Sequence, residues 1–276
     1  MMDWNNPEPQ RIQVGDTRLE AQCYGPAPTE APTIIMLHEG LGCVALWRDF
    51  PAQLAKATGY GVLAYSRAGY GASDGSPPPK PLDYMTREAM DVLPLVLEQI
   101  GFKRGILLGH SDGASIATIY AGSTEDMRIR GLVLIAPHFF TEPVGLAAIR
   151  DAKEVYEAGD LKPKLAKYHT HVDDAFYGWN GAWLDDGFQD WNIAENIDYL
   201  RIPVLGIQGR DDEYGTLAQL DELETRLYSP FDCVILEDCK HSPHLEKPDE
   251  TVGAIAEFCI RLDRLESEPV SCGTTA

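Results

Sequence analysis

Gly105-Ile106-Leu107-Leu108-Gly109-His110-Ser111-Asp112-Gly113-Ala114-Ser115-Ile116-Ala117 is the stretch that decides how this chain is read. A short apolar run, Gly105 to Leu108, leads into Gly-His-Ser-Asp-Gly, and a helix-forming run follows at once. A buried strand, a sharp turn with a serine at its tip and an immediate helix make the setting a nucleophilic serine requires. The flanking glycines suit such a turn, because a Cβ two residues either side of the serine would collide with neighbouring backbone. In a chain with 25 glycines a G-x-S-x-G match alone carries little weight. Its placement between strand and helix carries the argument.

Two later segments extend the motif into a site. Pro203-Val204-Leu205-Gly206-Ile207-Gln208-Gly209 reads as a buried strand and ends in Arg210-Asp211-Asp212-Glu213. Cys233-Val234-Ile235-Leu236 reads as another and ends in Glu237-Asp238-Cys239-Lys240-His241-Ser242-Pro243-His244. Serine, acid and histidine therefore come in that order, each just past the carboxyl end of an expected strand. The order differs from those of the two other common serine-hydrolase arrangements.

Two glycine-rich loops complete the pattern: His38-Glu39-Gly40-Leu41-Gly42 after the strand Thr33 to Leu37, and Ser66-Arg67-Ala68-Gly69-Tyr70-Gly71-Ala72-Ser73 after the strand Gly61 to Tyr65. With these the chain resembles the α/β-hydrolase fold superfamily, of the serine esterase or lactonase kind, from about Arg11 to Leu265. The resemblance implies an α/β architecture: a mostly parallel, doubly wound sheet with a helical cap inserted after the sixth strand. It places the core in residues 1–140 and 201–265, the cap in 141–200, and a flexible tail in 266–276.

The resemblance also implies roles. Ser111 is the expected nucleophile, and a free hydroxyl needs an adjacent base near neutral pH. His241, in Lys-His-Ser-Pro, is that base, with His244 as its rival. Asp212 matches the acid of G-x-x-D counted from Gly209, with Asp211 as the alternative; such a carboxylate holds the imidazole tautomer and stabilises the imidazolium. The oxyanion hole is expected from the backbone N–H groups of Gly40 and Asp112, near a helix N-terminus. The Asp112 side chain is expected to assist the helix start, while His38 and His110 stand at supporting positions. Glu39 departs from the pattern, which has His-Gly there. Its side chain either turns away to hydrogen-bond loop amides or positions water or a polar substrate group. Ser66 likewise stands where Asp is often found.

Between the strands, helical spacing covers Ala45 to Thr58 and Thr86 to Ile100, the latter with Met90, Leu93, Val96, Leu97 and Ile100 on one face and a bend at Pro94. A hairpin at Gly15-Asp16 joins Ile12–Val14 to Leu19–Tyr24. Helical pieces at Val144 to Ala158 and Leu161 to Tyr168 fall in an aromatic-dense stretch, Pro137 to Arg201, without strands. Most of these aromatics are expected to pack the cap onto the core. The rest would line an apolar pocket with His138 and Trp179.

The bulk composition excludes much else. The chain has 276 residues, 44% hydrophobic and 24% charged, with a net charge of −20. That charge opposes binding to a phosphate backbone or an anionic membrane. The N-terminus has no basic patch or apolar run, and six cysteines form no regular framework, so a reduced, cytoplasmic protein is expected. The expected function is cleavage of a carboxylic ester, lactone or thioester, on a small apolar or aromatic substrate, without metal or other cofactor. A homodimer is the prior for a soluble enzyme. Cofactor-free haloperoxidase or perhydrolase chemistry, C–C bond hydrolysis and non-catalytic ligand binding are the alternatives on the same fold. Serine at the elbow argues against epoxide hydrolase and haloalkane dehalogenase relatives, which carry Asp there.

Overall fold

Segments of five to eight residues, several buried on both faces, form the centre of the computed structural model, which describes residues 2–267. The strands are β1 Gln10–Val14, β2 Thr17–Tyr24, β3 Thr33–Leu37, β4 Gly61–Tyr65, β5 Gly105–His110, β6 Ile129–Ile135, β7 Val204–Gly209 and β8 Phe231–Leu236. They make one sheet in the order β1-β2-β4-β3-β5-β6-β7-β8. The β1–β2 hairpin and the β2–β4 pair are antiparallel, and the other pairs are parallel. Every residue of β3, β4, β5 and β7 is buried, as parallel strands covered on both faces require.

The two-residue period sorts these side chains into two cores. Ile35, Leu37, Leu63, Tyr65, Leu107, Leu132 and Leu134 face one way. Ile34, Met36, Val62, Ala64, Ile106, Leu108, Val133 and Ile135 face the other. The helices are α1 Phe50–Thr58, α2 Tyr84–Arg87, α3 Leu93–Gln99, α4 Asp112–Ser123, α5 Pro143–Ala158, α6 Leu161–Leu165, α7 Val172–Trp183, α8 Ala218–Arg226, α9 Pro243–Glu246 and α10 Pro248–Ser267. Residues of α1 and α10 close the second core, and those of α2 to α7 the first. Among the described residues no helix is long and apolar enough to cross a membrane.

Three expectations are corrected. The helix expected over Ala45–Thr58 is a 3-10 turn, Val44–Trp47, then α1, separated at Arg48 with φ 52°. Pro51 then sits in the first turn of α1, where its missing N–H costs nothing. Around Pro94 a π-helical turn, Glu88–Val92, links α2 to α3. It inserts about one residue into the period, so Ala89 turns inward, fully buried, and Met90 is left 37% exposed. Finally, α10 runs to Ser267, so Glu266 and Ser267 of the expected tail are helical, and its remainder lies outside the described residues.

Candidate active site

Ser111 sits between β5 and α4 with φ 54° and ψ −118°, a conformation few non-glycine residues adopt. Such strain costs about 1–3 kcal/mol and persists only where the surroundings hold it. Here they do: the Ser111 N–H donates to Ile135 O at 2.9 Å, and its own carbonyl accepts the N–H groups of Ala114 and Ser115 at 2.8 and 3.2 Å. A Cβ on Gly109 would lie 2.2 Å from Gly113 O, and one on Gly113 would lie 1.9 Å from Leu37 O. Both flanking positions therefore exclude a side chain.

At the ends of β7 and β8 the acid and histidine loops are tied together. Asp211 N–H donates to Cys239 O at 2.9 Å and Arg210 N–H to Leu236 O at 2.9 Å. A Cβ on Gly209 would reach Lys240 O at 2.2 Å, so glycine lets the loops touch. The result sets His241 Nδ1 at 2.9 Å from both carboxylate oxygens of Asp212. Asp212 also accepts the Tyr214 N–H at 2.8 Å and Gln208 Nε2 at 3.2 Å. Burial opposes charge on both partners; the hydrogen bond and opposite charge overcome it, lowering the Asp212 pKa and raising that of His241. Asp211 is exposed, and its side chain makes no hydrogen bond to His241. His244 is buried against Trp47, Phe50 and His110, with centroids 4.9, 5.4 and 4.8 Å away, and its pKa is held well below the ordinary value, chiefly by burial. It has no carboxylate partner among the described residues.

Ser111 and His241 open onto one cavity of about 110 Å³, which Gly40, Asp112, Glu39, His138 and Trp179 also line. Ile149, Trp183 and Tyr214 complete most of its wall. Ser111 Oγ has no hydrogen bond among the described residues, and neither do the backbone N–H groups of Gly40 and Asp112. A Cβ on Gly40 would overlap the Trp179 indole, so the loop runs directly beneath that ring. His138 is 5% exposed and its pKa is lowered to about 4, by burial and then by His241. A larger groove of about 710 Å³, walled by the end of α4 and residues 199–203, contains no serine-histidine pair.

The Glu39 side chain makes no bond to a loop amide, contrary to the first of the two expectations for it. Its carbonyl accepts Gly42 N–H, His38 Nδ1 and Arg67 Nη2 at 3.2, 2.7 and 2.8 Å, whereas its carboxylate faces His110 Nδ1 at 3.6 Å. Burial works against the charge, yet His110, then His38 and His244, hold the carboxyl well below the usual range. Ser66 replaces the expected acid by borrowing one: its Oγ donates to Glu20 at 2.7 Å and accepts Val44 N–H at 2.9 Å.

With this geometry in view the chain can be compared with known proteins. The Alpha/beta hydrolase family matches residues 34–254. The chain belongs to the alpha/beta hydrolase family. Among relatives, Epoxide hydrolase 3 of Xenopus tropicalis is 21% identical over 290 residues, covering 90% of this chain and 76% of its own. A proline iminopeptidase of Lactobacillus helveticus is 22% identical, covering 83% and 90%. Among solved structures, the enol-lactonase from Burkholderia xenovorans LB400 superposes with a TM-score of 0.71 at 20% identity, over 91% of this chain and all of its own.

In this alpha/beta hydrolase, several residues around the elbow escaped the sequence reading. The Asp112 side chain caps no helix. It is fully buried, accepting Tyr84 Oη at 2.6 Å and Trp183 Nε1 at 3.1 Å, with Arg67 Nη1 at 3.6 Å. Arg67 in turn donates to His38 Nε2 at 3.0 Å through its backbone N–H. His169 spans two loops, accepting Gly71 N–H at 2.9 Å and donating to Leu41 O at 3.0 Å. These partners lie 28 or more positions apart, so no local pattern announces them. An arginine among the small residues of the Ser66 to Ser73 loop was the available signal.

Proposed function

We propose that this protein is a serine hydrolase that cleaves a carboxylic ester, or a related lactone or thioester, through an acyl-enzyme on Ser111. The observation that carries this reading is a strained serine opening onto the same cavity as a histidine whose far nitrogen is held 2.9 Å from Asp212. In the reaction the Ser111 hydroxyl attacks the carbonyl carbon and His241 Nε2 takes its proton. Asp212 fixes the tautomer and stabilises the imidazolium. The free N–H groups of Gly40 and Asp112 stabilise the oxyanion, aided by the N-terminus of α4. His241 returns the proton to the leaving alcohol, and water then releases the acyl group by the same steps in reverse order.

The helices between β6 and β7 serve in this reading as a cap, contributing Ile149, Trp179 and Trp183 to the wall. A cavity of about 110 Å³ suits a short acyl group. The test is hydrolysis of p-nitrophenyl esters from acetate to decanoate beside Ser111→Ala, with fluorophosphonate labelling of both proteins. Turnover is expected to peak at the short end and to fall at least about 10³-fold in the variant. An unlabelled serine in folded protein, with no ester turned over, sinks the proposal.

A further inference from the structure

Glu39 places a carboxylate beside the proposed oxyanion hole. Its side chain is 27% exposed, and no hydrogen bond reaches either carboxylate oxygen among the described residues. Gly42 lies beside it, since a Cβ there would overlap Glu39 Oε2, so the carboxylate is folded back over its own loop. His110 Nδ1 faces it at 3.6 Å, buried and itself without a hydrogen-bond partner among the described residues. The other nitrogen of His110 donates to His241 O at 2.7 Å, which holds the ring in place. The one buried cation of this loop region, Arg67, is committed to the Glu39 carbonyl, His38 and Asp112.

A carboxylate here repels the oxyanion that forms at the N–H groups of Gly40 and Asp112. Apart from His241, which is neutral when Ser111 attacks and gains its charge with the Ser111 proton, the wall supplies no compensating charge: Leu41, Ile149, Trp179, Trp183 and Tyr214 are apolar or aromatic, and His138 is held neutral. A cationic or donor group on the substrate brings one that is present before the proton moves. We infer that Glu39 selects esters carrying an ammonium or another strong hydrogen-bond donor next to the scissile carbonyl, and rejects anionic ones. This inference rests on the proposed ester hydrolysis and names its substrate class. The donor enters the cavity with the ester, pairs with the carboxylate and removes its repulsion as the oxyanion forms. An anionic group in the same place would double it.

Matched esters test this at about pH 7, where an α-ammonium remains largely protonated. On the acyl side these are the methyl esters of alanine, lactate and isobutyrate, which put ammonium, hydroxyl and methyl at one position, together with monomethyl malonate. On the alcohol side the pair is acetylcholine and 3,3-dimethylbutyl acetate. On at least one side the cationic ester is expected to exceed its neutral isostere by about tenfold in kcat/KM, with the malonate slowest. In Glu39→Gln that ratio should fall to within about threefold and the malonate penalty should shrink, with Glu39→Asp restoring part of the preference. Ratios within one protein cancel any general loss of folded enzyme. Equal rates for charged and neutral isosteres on both sides, or ratios unmoved by Glu39→Gln, overturn the inference and leave Ser111-dependent hydrolysis standing. No Ser111-dependent turnover of any of these esters overturns the proposed function, and this inference with it.

Discussion

His241 must be neutral to accept the Ser111 proton, so the proposed reaction loses rate as His241 becomes charged. Burial would ease that loss, but the Asp212 hydrogen bond raises the pKa above 6.5, placing the acid limb of kcat/KM above that pH. Asp212→Asn removes the charge and leaves a carboxamide at the ring nitrogen. Its expected effect is a fall in kcat of about 10³–10⁴-fold with the acid limb moved lower, because the tautomer is no longer held. Asp211→Asn, altering an exposed neighbour, is expected to change kcat less than twofold; equal losses in the two variants would contradict the assignment of the acid. The serine, both loops and the order of the three groups were legible because each is local: a few residues between strand and helix. The Asp112 side chain was not legible. Its partners, Arg67, Tyr84 and Trp183, come from three separate elements, and an aspartate at the first position of a helix ordinarily reads as a cap.

Elements meet this site through glycines, and there the sequence and the geometry agree in kind. Gly113 lets α4 start against the end of β3, and a methyl group added there would press on the Leu37 carbonyl, which cannot yield. Gly113→Ala is therefore expected to cost about 2–3 kcal/mol and to lower the melting temperature by several degrees. Gly181, in the last turns of α7, has open space around it. Gly181→Ala should instead stabilise the chain by about 0.5–1 kcal/mol, by helix propensity and a less free unfolded state. Urea unfolding of both variants checks the pair, and a neutral Gly113→Ala would show that the turn has slack. The central strands were legible because continuous apolar runs bounded by turn residues leave few alternatives, and β1 and β2 because they flank a Gly15-Asp16 turn. Helix phase was less so. Pro94 announces a disturbance, but whether the chain bends or takes a π-turn depends on what the sheet offers to Ala89, Leu93 and Val96. The clasp of His169 on Gly71 and Leu41 similarly depends on how the segment between β6 and β7 folds back.

Across the whole molecule, buried histidines set the response to acid. His38, His138, His169 and His244 all have pKa values below the ordinary one, burial being the largest cause each time, and His138 is lowered to about 4. A histidine kept neutral in the fold takes up a proton on unfolding below about pH 6.5. Its stabilisation is present above that pH and is lost as the pH falls from about 6.5 towards the folded value. His241 has the opposite sign: raised, its contribution is complete below about pH 6.5 and is lost as pH rises through its folded value. Below about pH 6.5 His241 is protonated in both states, so the four lowered groups act alone and acidification is destabilising, with a ceiling of about 5 kcal/mol per pH unit for four protons. Asp126, lowered to about 2 by Arg128, enters only below about pH 4. A competing effect comes from the net charge of −20, whose self-repulsion relaxes as carboxylates protonate. Salt separates the two, since at 1 M the screening length is about 3 Å and surface repulsion vanishes, while the desolvation of buried imidazoles persists. In 1 M NaCl the melting temperature is therefore expected to fall by about 10 °C or more between pH 7.5 and 5.5, with net proton uptake on unfolding in calorimetry. At low salt the fall should be shallower. A melting temperature that is flat or rises on acidification in 1 M salt would mean that these histidines are already charged in the folded protein, and with them the wall of the candidate site.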